Sequence, residues 1–74
     1  MEAKYIVISN GEGYGIALVV EHRKETHIIE SHEGLTADKQ KIQELVDNCN
    51  ELCLEPIHLK DVVADFTKES QALV

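Results

Sequence analysis

The sequence predicts a small α+β domain in which a three-stranded antiparallel sheet precedes two helices. Two observations lead to this prediction. The first part of the chain alternates short β-branched segments with turn residues, which is typical of an antiparallel meander. The second half repeats apolar residues at intervals of three and four, the spacing of one helix face. We therefore predict the order βββαα, with both helices packed on one face of the sheet.

Three segments are predicted to form strands, at about residues 4–9, 14–22 and 26–31. Each is rich in β-branched or aromatic residues, and Asn10-Gly11 is a strong hairpin signal because both residues tolerate positive φ. The glycines from Gly11 to Gly15 also resemble a phosphate-binding loop. A strand rather than a helix follows them, so the hairpin is the better interpretation.

Apolar residues occupy both faces of the predicted sheet. In the second strand Ile16, Leu18 and Val20 alternate with Ala17 and Val19, and successive side chains of a strand point to opposite faces. The sequence leaves open which set faces the helices, because a one-residue change in register exchanges the two faces. In either register one apolar face is left without a covering element.

Two helices are predicted, at about residues 37–53 and 58–68. Thr36 is the expected N-cap of the first helix, with Asp38 in its first turn. The apolar stripe of this helix comprises Ile42, Leu45, Val46, Cys49, Leu52 and Cys53. Pro56 ends the helix, because the residue before a proline is disfavoured in the helical conformation. The stripe of the second helix comprises Leu59, Val62, Val63 and Phe66.

Length and charge limit the classes of function. The chain has 74 residues, enough for one domain spanning residues 1–74, and its formal net charge is −7. Binding to nucleic acid or to an anionic membrane needs positive charge, so we expect neither, whereas a basic protein partner fits. The sequence shows no secretion signal and only two cysteines, so we expect a cytoplasmic protein with reduced thiols.

His22, His27 and His32 are the most notable polar set in the strand region, and among them His22 and His27 are the candidate metal ligands. If the second turn is centred between Lys24 and Glu25, the two imidazoles face each other across the hairpin, with Cβ atoms about 5 Å apart. Two histidines do not complete a site, although Glu25 or Glu30 would add a ligand. Solvent-exposed histidines are the simpler interpretation, so we predict no bound metal and no cofactor.

Cys49, Cys53 and His58 form a second candidate set, for a soft metal ion. Both cysteines lie on the apolar stripe, so buried core thiols are the better interpretation. His58 and Asp61 open the second helix, either as a dyad that transfers protons or as a cap in which Asp61 accepts the His58 N–H. We favour the cap and predict no catalytic residue.

Acidic residues recur along one side of the second helix, at Asp61, Asp65 and Glu69. A solvated surface explains them, and a docking surface for basic residues is the alternative. The candidate interaction residues are therefore Ala17 and Val19 on the uncovered sheet face, together with Asp61 and Asp65.

A family resemblance rests mainly on the segment Pro56-Ile57-His58-Leu59-Lys60-Asp61-Val62-Val63-Ala64-Asp65-Phe66. Leu45-Val46-Asp47, Asn50 and Tyr14-Gly15-Ile16-Ala17 add to it. With these residues the chain resembles a family of small bacterial proteins of unknown function, associated mainly with Clostridia and related Firmicutes. The resemblance implies a self-contained cytoplasmic domain and transfers no catalytic residue.

We therefore predict a non-enzymatic protein-interaction or regulatory module that forms a homodimer. Two helices, each about 10 Å wide, cover one face of a three-stranded sheet and leave the other exposed. An apolar patch of a few hundred Å² is close to the limit for a monomer, and a second copy related by a two-fold axis would bury it. The alternative is a small metal- or ligand-binding protein that uses His22 and His27.

Overall fold

The computed structural model describes residues 2–11 and 13–71, with side chains described through residue 68. The elements are β1 (Glu2–Asn10), β2 (Gly13–His22), β3 (Glu25–Thr36), α1 (Lys39–Glu51), a 3₁₀ turn (Pro56–His58) and α2 (Leu59–Gln71). The strands pair antiparallel in the order β1-β2-β3. This arrangement confirms the predicted α+β fold. Glu12, in the first predicted turn, lies outside the described residues.

The second hairpin turns at Arg23 and Lys24, whose φ angles are 53° and 67°. Positive φ at both central residues is the geometry of a two-residue hairpin turn that matches the twist of the strands. His22 therefore pairs with Glu25. The third strand runs on to Thr36, past its predicted end at about residue 31, and two register shifts interrupt its pairing with β2.

Both helices contribute to one hydrophobic core on one face of the sheet. The buried cluster consists of Tyr5, Ile16, Leu18, Val46, Cys49, Leu59 and Val63. It joins residues of β1 and β2 to residues of α1 and α2. The register that the sequence left open is therefore the one in which Ile16 and Leu18 face the helices, and Ala17 and Val19 point to the other side.

The N-cap of the first helix is Asp38 rather than Thr36. The Asp38 carboxylate accepts the backbone N–H groups of Gln40 at 3.0 Å and Lys41 at 3.3 Å, the usual N-cap arrangement. The prediction of Thr36 as N-cap is wrong because β3 continues to that residue. The Thr36 hydroxyl instead accepts the N–H of Asp38 at 3.1 Å.

The first helix ends at Glu51 in a tight reversal. The N–H of Leu54 donates to the Cys49 carbonyl at 3.0 Å, and the N–H of Cys53 donates to the Asn50 carbonyl at 3.2 Å. With Cys53 at a φ of 50°, this is a Schellman motif. Leu52 is 77% exposed and Cys53 is exposed, so their predicted place on the apolar stripe is wrong.

The second helix continues directly from the 3₁₀ turn at Pro56. The N–H of His58 donates to the Glu55 carbonyl at 2.9 Å, so the predicted cap, in which Asp61 accepts that N–H, is wrong. Because the 3₁₀ turn already satisfies this donor, the first turn of α2 needs no side-chain cap there.

Candidate functional site

The sheet face opposite the helices, here called the open face, carries the residues Ile6, Ile8, Ala17, Val19 and Ile28. Their placement follows from the register, which pairs Ile6 with Ala17 and Val19 with Ile28. Ala17 and Val19 are only 0% and 2% exposed, whereas Ile28 is 64% exposed. The predicted interaction residues Ala17 and Val19 thus form the floor of this face, and the flanking isoleucines carry its accessible area.

One end of the open face is overhung by β3. Opposite Gly15 the register shifts, and Gly34 takes a φ of 64°. A Cβ placed on Gly15 would overlap the His32 carbonyl oxygen and lie 2.9 Å from the Glu33 Cα. The side-chain amide of Asn10 also donates to the Glu33 carboxylate at 3.3 Å, which joins the two outer strands. The open face is therefore concave at this end.

The other end of the open face widens into a cleft of about 230 Å³. Its lining residues are Glu2, Ala3, Lys4, Val19, Glu21 and Thr26. The apolar strip thus ends among charged side chains, as the polar rim of a protein interface does.

The outer edge of β1 is blocked at its middle by α1. The backbone N–H of Tyr5 donates to the Asn50 side-chain oxygen at 2.8 Å, and the Asn50 amide donates to the Tyr5 carbonyl at 2.9 Å. The Asn50 carboxamide therefore takes the place of a neighbouring strand. The register shifts interrupt β3 at the other edge. Both devices oppose edge-to-edge pairing of sheets.

A second cleft, of about 190 Å³, lies where the α1–α2 connection meets the start of β1. It is lined by Ala3, Tyr5, Leu18, Cys49, Asn50, Cys53, Leu54 and Pro56. The Tyr5 hydroxyl donates to the Leu54 carbonyl at 2.7 Å. Burial raises the pKa of this hydroxyl, with smaller contributions from Cys49 and Glu30. Burial also raises the pKa of the Cys49 thiol, which favours its neutral form, and Cys49 belongs to the buried core.

The histidines do not occupy the positions that the metal hypothesis requires. The hairpin turns one residue earlier than that hypothesis assumes, so His27 pairs with Val20 and the two imidazoles are not opposed. His27 instead lies 3.5 Å from the Glu25 carboxylate. Among the side chains that the structure describes, those of residues 2–11 and 13–68, no three histidine, cysteine or acidic groups come together as a metal site.

One carboxylate–imidazole pair was not anticipated from the sequence. The Glu30 carboxylate lies 2.6 Å from His32 Nε2, and the register places both residues on the covered side of β3, opposite Leu18 and Ile16. The alternation of side chains along a strand would have placed Glu30 and His32 on the same face, but the predicted third strand ended before His32.

The hydrogen bonds of Asn50 were not predicted either. The sequence contains no signal for them, because Asn50 and its partner Tyr5 are far apart in the chain.

The residues proposed for a proton-transfer dyad are separate and exposed. Both His58 and Asp61 are exposed, and within the described part of the chain the side chains of His58, Asp61 and Asp65 form no hydrogen bond or ion pair. Their arrangement is that of a solvated surface, available to a charged partner but without a preorganised proton path.

Within the described residues, no helix is both long enough and apolar enough to span a membrane.

Comparisons with known proteins identify the family of the chain. Neither the curated proteins nor the solved structures include a match to this chain. One family model matches residues 1–69, which is nearly the whole domain. The chain therefore belongs to a family of unknown function, DUF6514.

Proposed function

We propose that this domain is a non-enzymatic protein-interaction module that self-associates through the open face. The observation that carries the proposal is the placement of both helices in one core on the opposite side of the sheet. Ile28 is 64% exposed, and Ile6 and Ile8 are half-buried. Burying these side chains against a second copy removes apolar surface from water, which is the main driving force of association.

The size of the open face predicts a weak dimer. A nine-residue strand is about 30 Å long, and three strands with their side chains span about 15 Å, which gives about 450 Å² per copy. Two copies would bury about 900 Å² in total, and interfaces below about 1,200 Å² are typical of weak or transient complexes. We therefore expect association at micromolar rather than nanomolar concentrations.

Charge works against this association without preventing it. Each chain has a net charge of −7, so two copies repel each other at low ionic strength. At physiological salt, charges more than about 8 Å apart are largely screened. Added salt should therefore strengthen the dimer, whereas a dimer held by ion pairs would weaken.

Sedimentation equilibrium between about 10 and 200 µM tests the proposal. We expect a mass approaching twice 8.3 kDa for the native sequence, and a monomer for Ile28→Lys, which places a charge within the apolar surface that the dimer would bury. Ile57→Lys is the matched control, because Ile57 is 78% exposed on a different surface. A monomer at every concentration, or dissociation caused by Ile57→Lys alone, would contradict the proposal.

The remaining expectations from the sequence belong to the same proposal. We infer a bacterial, cytoplasmic module without catalytic activity. We also infer that it has no affinity for nucleic acid, because its net charge is acidic. The absence of opposed histidines in the hairpin weighs against the metal-binding alternative.

A further inference from the structure

We propose that the α1–α2 connection is a second docking site, which receives a basic amphipathic helix of a partner protein. The site, here called the connection surface, consists of Leu52, Cys53, Pro56 and Ile57 and the 190 Å³ cleft beside them. It lies on the helix side of the molecule and is separate from the open face.

Among the large apolar side chains that the structure describes, the two most exposed lie at this connection. Leu52 is 77% exposed and Ile57 is 78% exposed, more than the 64% of Ile28. Cys53 and Pro56 line the cleft. Leu52 and Ile57 are their neighbours in the chain. Two exposed large apolar side chains are thus adjacent in the chain to residues that line a concavity reaching the core. Exposed apolar surface next to a concavity is typical of a protein-binding site.

The volume of the cleft indicates what enters it. Pockets for small molecules usually measure about 300–1,000 Å³, and this cleft holds about 190 Å³. Its floor includes the core residues Tyr5, Leu18 and Cys49. One apolar side chain fits such a space, as the anchor residue of a protein partner does.

The charges around the connection surface select a basic partner. Glu51 and Glu55 stand beside Leu52 and Pro56, and both are exposed. Asp61 lies one helical turn beyond Ile57, and it is exposed as well. Lys60 is the single lysine or arginine between Ile42 and Thr67. A partner with lysines or arginines around an apolar stripe would complement both features.

The hydrogen bonds of Asn50 favour a helix over an added strand. A peptide that pairs with the edge of β1 needs the outward backbone groups of Tyr5, and Asn50 already binds both of them. Recognition at this site must therefore use side chains. An amphipathic helix that inserts its apolar face into a groove is the recognition mode that does so.

A synthetic helix provides a direct test. The probe is a fluorescein-labelled peptide of about 18 residues made of leucine, alanine and lysine, with leucines at helical spacing on one side. Its comparison is a scrambled peptide of the same composition. The protein is the Ile28→Lys variant, so that self-association does not enter the measurement and the two proposals can fail independently. We expect the ordered peptide to bind at least about tenfold more tightly than the scrambled one.

Matched variants locate the binding. The Leu52→Ser, Ile57→Ser double variant should lose the preference for the ordered peptide, whereas Ile29→Ser, which replaces another exposed isoleucine at 60% exposure, should retain it. Equal affinity for both peptides would show attraction by charge alone and would overturn the proposal, as would an unchanged preference in the double variant. If the double variant does not fold, amide NMR shifts decide: peptide-induced shifts at residues 51–58 support the site, and shifts confined to the sheet overturn it.

Discussion

At the residue scale, Asn50 connects the two halves of the chain. It is on the last turn of α1, and its carboxamide holds both backbone polar groups of Tyr5, while the Tyr5 hydroxyl reaches the Leu54 carbonyl. Two hydrogen bonds thus join one residue of β1 to the last turn of α1, and a third joins it to the connection that follows. They satisfy groups that a strand edge would otherwise expose to other chains.

Replacing Asn50 by alanine should destabilise the fold measurably. Two hydrogen bonds of this kind contribute about 1–3 kcal/mol together, and we expect a loss of that size in the free energy of unfolding, measured by urea denaturation. Asn48→Ala is the control, because Asn48 is exposed on the same helix and the change in helix propensity is the same. Equal midpoints for the two variants would show that Asn50 does not hold the strand.

Cys53 occupies a backbone position that usually belongs to glycine. Its φ of 50° is the left-handed conformation of the residue that follows a helix in a Schellman motif. A residue with a Cβ pays about 1–2 kcal/mol there relative to its preferred conformations. The strain is retained because the reversal turns Leu54 toward the core.

Cys53→Gly should therefore stabilise the protein. Relief of the strain is partly offset by the greater freedom of glycine in the unfolded chain, so we expect a gain of about 0.5–1 kcal/mol. Urea denaturation under reducing conditions measures it. Cys53→Ala removes the thiol but keeps the Cβ, and it should leave the unfolding free energy nearly unchanged; a comparable gain in that variant would assign the effect to the thiol.

At the scale of elements, β3 shapes the open face. It is the longest strand, with 12 residues, and its register shifts let it bend over Gly15 at one end. Because a glycine stands at this point of β2, the backbone of β3 can approach it closely. The bend makes the face concave and interrupts the exposed edge at the same time.

Gly15→Ala should damage the sheet severely. The added methyl group would overlap the His32 carbonyl oxygen, and backbone cannot move aside as a side-chain end can. We expect a loss of at least about 2–3 kcal/mol in the unfolding free energy, at the upper range for overpacking. At Gly11 a Cβ has no heavy atom within 4 Å, so Gly11→Ala should change thermal and urea midpoints little. Similar effects of the two substitutions would disprove the close approach of β3.

At the scale of the whole molecule, the protein is flat. It measures 45 × 26 × 17 Å, and its Cα radius of gyration is 12.4 Å, against about 11 Å for a compact chain of this length. A single layer of helices on a single sheet accounts for the shape. A flat molecule buries less apolar surface per residue than a compact one of the same length, so the proposed self-association would add to a small core.

The melting temperature should therefore depend on protein concentration. Association stabilises the folded state by mass action, by about 1.4 kcal/mol when the concentration is ten times Kd. For a domain of this size, where 1 kcal/mol corresponds to about 4–8 °C, the expected rise in melting temperature is about 6–11 °C, measurable by circular dichroism from about 5 to 200 µM. Ile28→Lys should melt at one temperature throughout. A constant melting temperature for the native sequence would contradict self-association of the folded state.

The sequence by itself determined the class and order of the elements. Alternating β-branched segments and the Asn10-Gly11 pair predicted the meander, and the three-and-four spacing from Ile42 onward predicted both helices. These signals are local, because the hydrophobic period of a strand or helix can be recognised from consecutive residues alone. Local signals also showed that both faces of β2 are apolar, and hence that one face would lack a covering element.

Tertiary structure decided what local periodicity does not contain. Three features depend on contacts between residues far apart in the chain. They are the choice of the sheet face that the helices cover, the exposure of Leu52 beyond the end of α1, and the hydrogen bonds between Asn50 and Tyr5. The opposed placement of His22 and His27 was wrong for a related reason: with the turn at Arg23 and Lys24, His22 pairs with Glu25 and His27 pairs with Val20. Register and long-range hydrogen bonds arise only when the elements pack together, because that packing selects among arrangements that are locally equivalent.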